Sequence, residues 1–170
     1  MKIRVLTQID FMFKKIIVAF VIVISFSGCL KNKEQKCTYD SCAYSAPASE
    51  IQAIQNYLTS HNITNAVQHC SGLFYVIDTL GTGDQPASCS LVTVNYVGSL
   101  VDGTVFDHGT DFTIGLNQVI AGWTNGVPLI KEGGKIHLYI PPSLGYGSQP
   151  YGSIPGNSIL IFDIHLTTAY

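Results

Sequence analysis

The chain has 170 residues, a formal net charge of −2, and only 12% charged residues against 46% hydrophobic ones. That length suits one modest domain with extensions. A near-neutral chain without a Lys/Arg stripe lacks the electrostatic footprint of a nucleic-acid binder, so no nucleic-acid partner is expected.

Near the start, Lys14 and Lys15 precede an apolar run over 16–24, followed by Ser25, Phe26, Ser27, Gly28 and Cys29. A basic flank, a short apolar run and small residues form the layout of a secretory signal, and the run is too short to span a bilayer comfortably. Met12 would give that signal a more usual start than Met1. Phe26-Ser27-Gly28-Cys29 resembles a bacterial lipobox, with Phe26 where that pattern usually carries Leu. The resemblance implies cleavage before Cys29, acylation of Cys29, and a membrane anchor through its acyl chains, several of which hold where one is marginal. Residues 1–28 are thus expected to be a signal, and the mature chain to be lipid-anchored in the envelope, in the outer membrane facing the periplasm.

Residues 29–48 are polar after Leu30, with no apolar period, and are expected to form a flexible tether. Ser49-Glu50-Ile51-Gln52 has the form of a capping box. Ile51, Ile54 and Leu58 then recur at helical spacing, which predicts a short helix to about Ser60 within a lead-in over 49–71. It is too short for sustained heptads and is read as a spacer packed on the domain in preference to a dimerisation helix. From Gly72 the period becomes two. Strands are predicted over 73–77, 91–97 (with Val92, Val94 and Tyr96 on one face), 104–106 with resumption at 112–114, 136–140 and 159–166. Asp102-Gly103 marks a tight turn and Pro141-Pro142 a stop. One short helix fits around 122–127. Several strands with hairpin-scale links and one helix argue an α+β domain over 72–170 with an antiparallel sheet.

Cys37, Cys42, Cys70 and Cys89 allow three disulfide pairings, among which the sequence does not choose. An exported chain meets an oxidising compartment, which favours disulfides. The metal reading is weaker, because Cys37 and Cys42 have no matching second pair. No GxSxG, HExxH or CxxC motif appears, and Gly81-Thr82-Gly83 lacks the third glycine of a dinucleotide fingerprint. His137 and His165 fall in strands, on faces opposite the apolar positions. No metal and no cofactor is expected.

What remains is an aromatic and aliphatic set with one carboxylate. The blocks Val94-Asn95-Tyr96-Val97-Gly98, Asp102-Gly103-Thr104-Val105-Phe106-Asp107, Gln118-Val119-Ile120-Ala121-Gly122-Trp123, Gly133-Gly134-Lys135 with Ile140-Pro141-Pro142, Leu144-Gly145-Tyr146-Gly147 and Leu160-Ile161-Phe162-Asp163 occur in that order. Each is weak alone. Together they resemble an FK506-binding-protein (FKBP) type peptidyl-prolyl cis-trans isomerase over about 72–166.

The resemblance implies a strongly bent antiparallel sheet wrapped around one short α-helix, with a pocket between them. Tyr96, Phe106 and Phe162 would be its aromatic walls and Trp123 its floor. Val119 and Ile120 would line the helix entry, with the Ile120 N–H receiving a substrate carbonyl. Asp107 and the Tyr146 hydroxyl would hold the twisted carbonyl, Phe112 would fill one of two aromatic positions, and Ile154 would close a side. The implied partners are proline-containing exported polypeptides and FK506-like macrolides. Between Asp107 and Phe112 the segment is shorter than in many members, Gln118 stands where some have Glu, and the loop from Tyr146 to Ile154 is slightly shortened. The implied reaction needs no bond-breaking group: an apolar, water-poor pocket favours the twisted amide, which has lost resonance and polarity, over the planar one. The alternative on the same fold is a non-catalytic binding or chaperone module.

Overall fold

Strands that alternate buried and exposed side chains must pair to satisfy their backbones, and here they build one six-stranded antiparallel sheet. The computed structural model describes residues 37–170, so the expected signal, the lipobox with Cys29 and the first part of the tether lie outside the described residues. In chain order the elements are α1 (Ala48–Ser60), β1 (Val67–Gln68), β2 (Phe74–Thr79), β3 (Leu91–Leu100), β4 (Val105–Gly115), α2 (Ala121–Gly126), β5 (Lys135–Ile140) and β6 (Leu160–Ala169). The sheet order is β1-β2-β5-β6-β3-β4. The expected α+β class with a bent sheet and one short helix against it is what the chain adopts.

Period two decides which face each strand side chain takes. Ile136, Leu138 and Ile140 of β5 point to the main core with Val92 and Val94 of β3 and Leu160, Phe162 and Ile164 of β6. Tyr139, one step out of phase, points the other way with Phe74 and Val76 of β2, where Ile54 and Leu58 of α1 cover them. The apolar stripe of α1 is therefore used on its own sheet. Against the main core lies α2. At Gly122 an added Cβ would stand 2.5 Å from the Ile140 side chain, and at Gly126 one would stand 2.6 Å from Leu138. Only glycine allows so short a helix to sit this close to β5.

Three expectations need correction. The start of α1 is not a capping box. Pro47 is the N-cap, with no side-chain cap bond, and its carbonyl accepts from the Glu50 and Ile51 N–H groups. The Glu50 carboxylate turns away instead, accepting the Ser143 N–H at 2.9 Å. Second, β4 does not break between 106 and 112. Val94 pairs with Phe112 and Tyr96 with Gly109, so the strand carries a bulge. Asp111 takes a left-handed backbone (φ 51), and its N–H donates to Asn95 Oδ1 at 2.7 Å, which repairs the ladder at the irregularity. Third, the segment over 29–48 expected to be a flexible tether is fastened from residue 37 on, where it is described. Cys37 is joined to Cys89 and Cys42 to Cys70, Ala46 is buried, and its N–H donates to the Ser71 carbonyl at 2.9 Å.

His137 sits on the solvent face of the sheet, as expected of its position, but between two carboxylates. Its Nε2 lies 2.7 Å from Asp78 Oδ2, and its Nδ1 contacts Asp163 Oδ1. The register of β2 on β5 shifts between Ile77 and Thr79, which places Asp78 at a bulge. The Asp163 hydrogen bond, with Asp78 behind it, outweighs burial and pushes the His137 pKa up to about 9.

Candidate functional site

A cavity of about 420 Å³ opens between α2 and the sheet. Its floor is built first by burial. Trp123 and Phe162 are each 3% exposed, so most of each ring belongs to the core and one edge reaches the cavity. The Trp123 ring meets Tyr96 and Phe162 edge-on, at 5.0 and 5.2 Å between centroids and 86° and 87° between planes. Edge-to-face packing puts positive ring edges against negative faces and fixes each ring's orientation. Tyr96 and Phe112 form the next wall at 5.7 Å, and Val119 and Ile120 stand at the entrance to α2. The Ile120 N–H makes no hydrogen bond with another described residue.

Of the ten residues expected at the site, eight line this cavity: Tyr96, Asp107, Phe112, Val119, Ile120, Trp123, Tyr146 and Phe162. Phe106 and Ile154 do not. Phe106 stands one layer back, edge-on to Phe162 at 5.5 Å. Gly98 lies between these two rings, and a Cβ there would approach Phe162 at 2.7 Å and Phe106 at 2.8 Å. Phe106 thus supports the wall. Ile154 is 5% exposed and packs in the core. On that loop the lining residue is Tyr151, whose ring stacks on Tyr146 at 4.4 Å with 6° between planes. Ile114 and Gln118 also line the cavity. An aromatic between two glycines, Gly147 and Gly152, was the signal the sequence offered for Tyr151, and both glycines take positive φ in the fold.

The polar groups gather at the rim. Tyr96 donates its hydroxyl to Asp107 Oδ2 at 2.8 Å, and the His108 N–H donates to Asp107 Oδ1 at 2.9 Å. A carboxylate accepts and does not donate. Asp107 is therefore unable to hold a substrate carbonyl directly, and its oxygens serve Tyr96 and the backbone. Burial first, then the Asp107 hydrogen bond and charge, push the Tyr96 pKa up to about 12. Burial, then Tyr151 and Asp107, raise that of Tyr146. Both phenols stay protonated at neutral pH and act as donors. A second cavity of about 450 Å³ lies on the solvent face, lined by Asp78, Lys135, His137, Asp163 and His165. Tyr96, Val97, Ile136 and Ile164 also line it, but none of Trp123, Tyr146 and Phe162 does, so it lacks the aromatic floor of the first cavity. Cys42, His69 and Cys70 also cluster, but both sulfurs are in the disulfide.

Comparison with known proteins agrees with this geometry. The family model described as FKBP-type peptidyl-prolyl cis-trans isomerase matches residues 83–167, half of the chain. The chain is 52% identical over 101 residues to the FKBP-type peptidyl-prolyl cis-trans isomerase FkpA of Buchnera aphidicola subsp. Schizaphis graminum, covering 56% of this chain and 40% of that protein. It thus spans less than half the length of the curated relatives it matches. Among solved structures it is similar to FkpA from Escherichia coli, with a TM-score of 0.65 and 37% identity over 71% of this chain and 58% of that one. It is also similar to a peptidyl-prolyl cis-trans isomerase from Pseudomonas syringae pv. tomato, with a TM-score of 0.64 and 30% identity over 74% of this chain and 97% of that one. A bent sheet closing an aromatic cavity over α2, and a family match that spans both, lead to one conclusion: the chain belongs to the FKBP-type peptidyl-prolyl cis-trans isomerase family.

Proposed function

We propose that this chain accelerates rotation about Xaa-Pro bonds in exported polypeptides, by holding the twisted amide in the aromatic cavity without covalent chemistry. The observation that carries the reading is the make-up of the cavity: buried Trp123 and Phe162 form its floor, half-buried Ile114, Val119, Ile120, Tyr96 and Tyr146 its walls, and the exposed Asp107 carboxylate bonds the Tyr96 hydroxyl at its rim. The relatives' names support it. A planar amide is held by resonance behind a barrier of roughly 18–20 kcal/mol. Twisting removes that resonance and much of the dipole, so a water-poor aromatic cavity binds the twisted form better than the planar one, and that difference is the catalysis. The proline ring sits over Trp123. The Tyr146 hydroxyl donates to the rotating carbonyl, the Ile120 N–H to the one after it, and Asp107 holds Tyr96 in its wall position. FK506-like macrolides would compete for the same cavity.

Asp107→Ala tests this division. It frees the Tyr96 hydroxyl and removes a charged acceptor, whose hydrogen bonds contribute about 1.5–3 kcal/mol each. An isomerase rate reduced about tenfold or more is expected of the folded variant, and a smaller loss for Phe106→Ala. Full activity in both would refute the assignment.

The same reading places the protein outside the cytoplasm, lipid-anchored through Cys29 in the outer membrane facing the periplasm. Two disulfides in the described chain and the signal-like segment before them support export. Replacing Cys29 with Ser should move the protein from the membrane to the soluble fraction; unchanged membrane association would sink the anchor.

A further inference from the structure

The residues before α1 make one contact with the site's framework that the isomerase mechanism leaves unused. The Tyr39 hydroxyl donates to Asn125 Oδ1 at 2.8 Å, across 86 positions of sequence. Asn125 is a buried residue of α2, two positions after Trp123. Tyr39 itself does not line the cavity. It lies between two covalent anchors, with the Cys37–Cys89 disulfide on one side and the Cys42–Cys70 disulfide on the other. Asp40 closes a turn directly behind it: its Oδ1 accepts the Cys42 N–H at 2.9 Å, and its carbonyl accepts the Ala43 N–H at 3.3 Å. The phenol is thus presented from a backbone fixed at both ends, and little freedom is lost when it bonds.

Helix α2 needs holding from outside. Six residues are too few for a helix to sustain its own geometry in water. Its side chains give it few handles. The Thr124 hydroxyl donates to the Leu116 carbonyl at 2.6 Å, Gly122 and Gly126 rest on β5, and Asn125 is held by Tyr39. The first two come from within the segment that the family model matches, whereas Tyr39 lies before it.

We propose that Tyr39 is a positioning residue for the isomerase site: the disulfide-anchored strap over 37–42 fixes Asn125 and, through α2, sets where Trp123 and Ile120 stand. The inference rests on the isomerase reading. Tyr39→Phe is its test, because it removes one hydroxyl and keeps the ring, the strap and both disulfides. Trp123 is the single tryptophan of the chain, so its emission reports the cavity floor directly. In the disulfide-intact protein, kcat/KM should fall about three- to tenfold, the equivalent of one ordinary hydrogen bond expressed as rate. Trp123 emission should move to the red and be quenched more readily by acrylamide. The denaturation midpoint should stay within a few degrees. Asn125→Leu cuts the same bond from the other end, and adding Tyr39→Phe to it should cost nothing more, since the two share one interaction. Wild-type rate and emission in Tyr39→Phe would overturn the inference alone, as would a lower rate with Trp123 emission unchanged. A wild-type protein that binds but does not isomerise would sink the isomerase reading, and the inference with it.

Discussion

The site depends on side chains that do two jobs at once. Trp123 and Phe162 fill the core and offer an edge to the cavity, so replacing either would damage stability and function together. Gly98 separates these roles better. It does not line the cavity, yet a methyl group there would meet Phe162 at 2.7 Å and Phe106 at 2.8 Å. Overpacking of this kind costs about 1–3 kcal/mol. Gly98→Ala should therefore lower the unfolding free energy by that much and reduce the isomerase rate by tilting Phe162 into the cavity; a variant with normal stability and rate would show that the rings have room the geometry denies them. The sequence carried most of this layer, because Tyr96, Asp107, Trp123, Tyr146 and Phe162 stand inside recognisable blocks. Phe106 was read as a wall because a residue's number does not say which of two packed rings faces the void. Tyr151 was missed as a lining residue because its place depends on how a glycine-flanked loop folds back on Tyr146.

Among the elements, β5 and β6 were the most legible, since Ile136, Leu138 and Ile140, and Leu160, Phe162, Ile164 and Leu166, keep period two along each strand. β4 was less so. Its continuity rests on Asn95 taking the Asp111 N–H across the bulge, a pairing that no local pattern encodes. The start of α1 failed for a related reason: Ser49 and Glu50 fit a capping box, but a backbone N–H of the turn after β5 claims the Glu50 carboxylate. The solvent face carries an element-scale prediction. His137 joins β5 to Asp78 of β2 and Asp163 of β6. Its pKa is raised from 6.5 to about 9 in the fold. The stabilisation is therefore complete below about pH 6.5 and fades as pH rises through about 9. Partial exposure of all three groups holds it to about 1 kcal/mol. The thermal midpoint of the wild type should fall between pH 6.5 and 9 by more than that of His137→Gln. Equal slopes would mean that the two carboxylates do not bind the ring in solution.

At the scale of the molecule, two disulfides sew the N-terminal segment to the domain. They join residues 52 and 28 positions apart, and the chain-entropy model assigns each about 4 kcal/mol. The sequence supplied four cysteines and three possible pairings; the fold joins Cys37 to Cys89 and Cys42 to Cys70, a choice that depends on how the N-terminal segment runs along the domain and not on any local pattern. A fragment meant to report on the whole protein must therefore begin before Cys37. The central claim is catalytic, and one measurement meets it most directly: protease-free isomerisation of a short Xaa-Pro peptide by the disulfide-intact protein, with and without FK506. The account predicts acceleration that the macrolide suppresses and that Asp107→Ala largely removes. A well-folded protein that binds the peptide in this cavity yet leaves its cis–trans exchange at the uncatalysed rate would contradict it, and would make the same aromatic cavity a binding module.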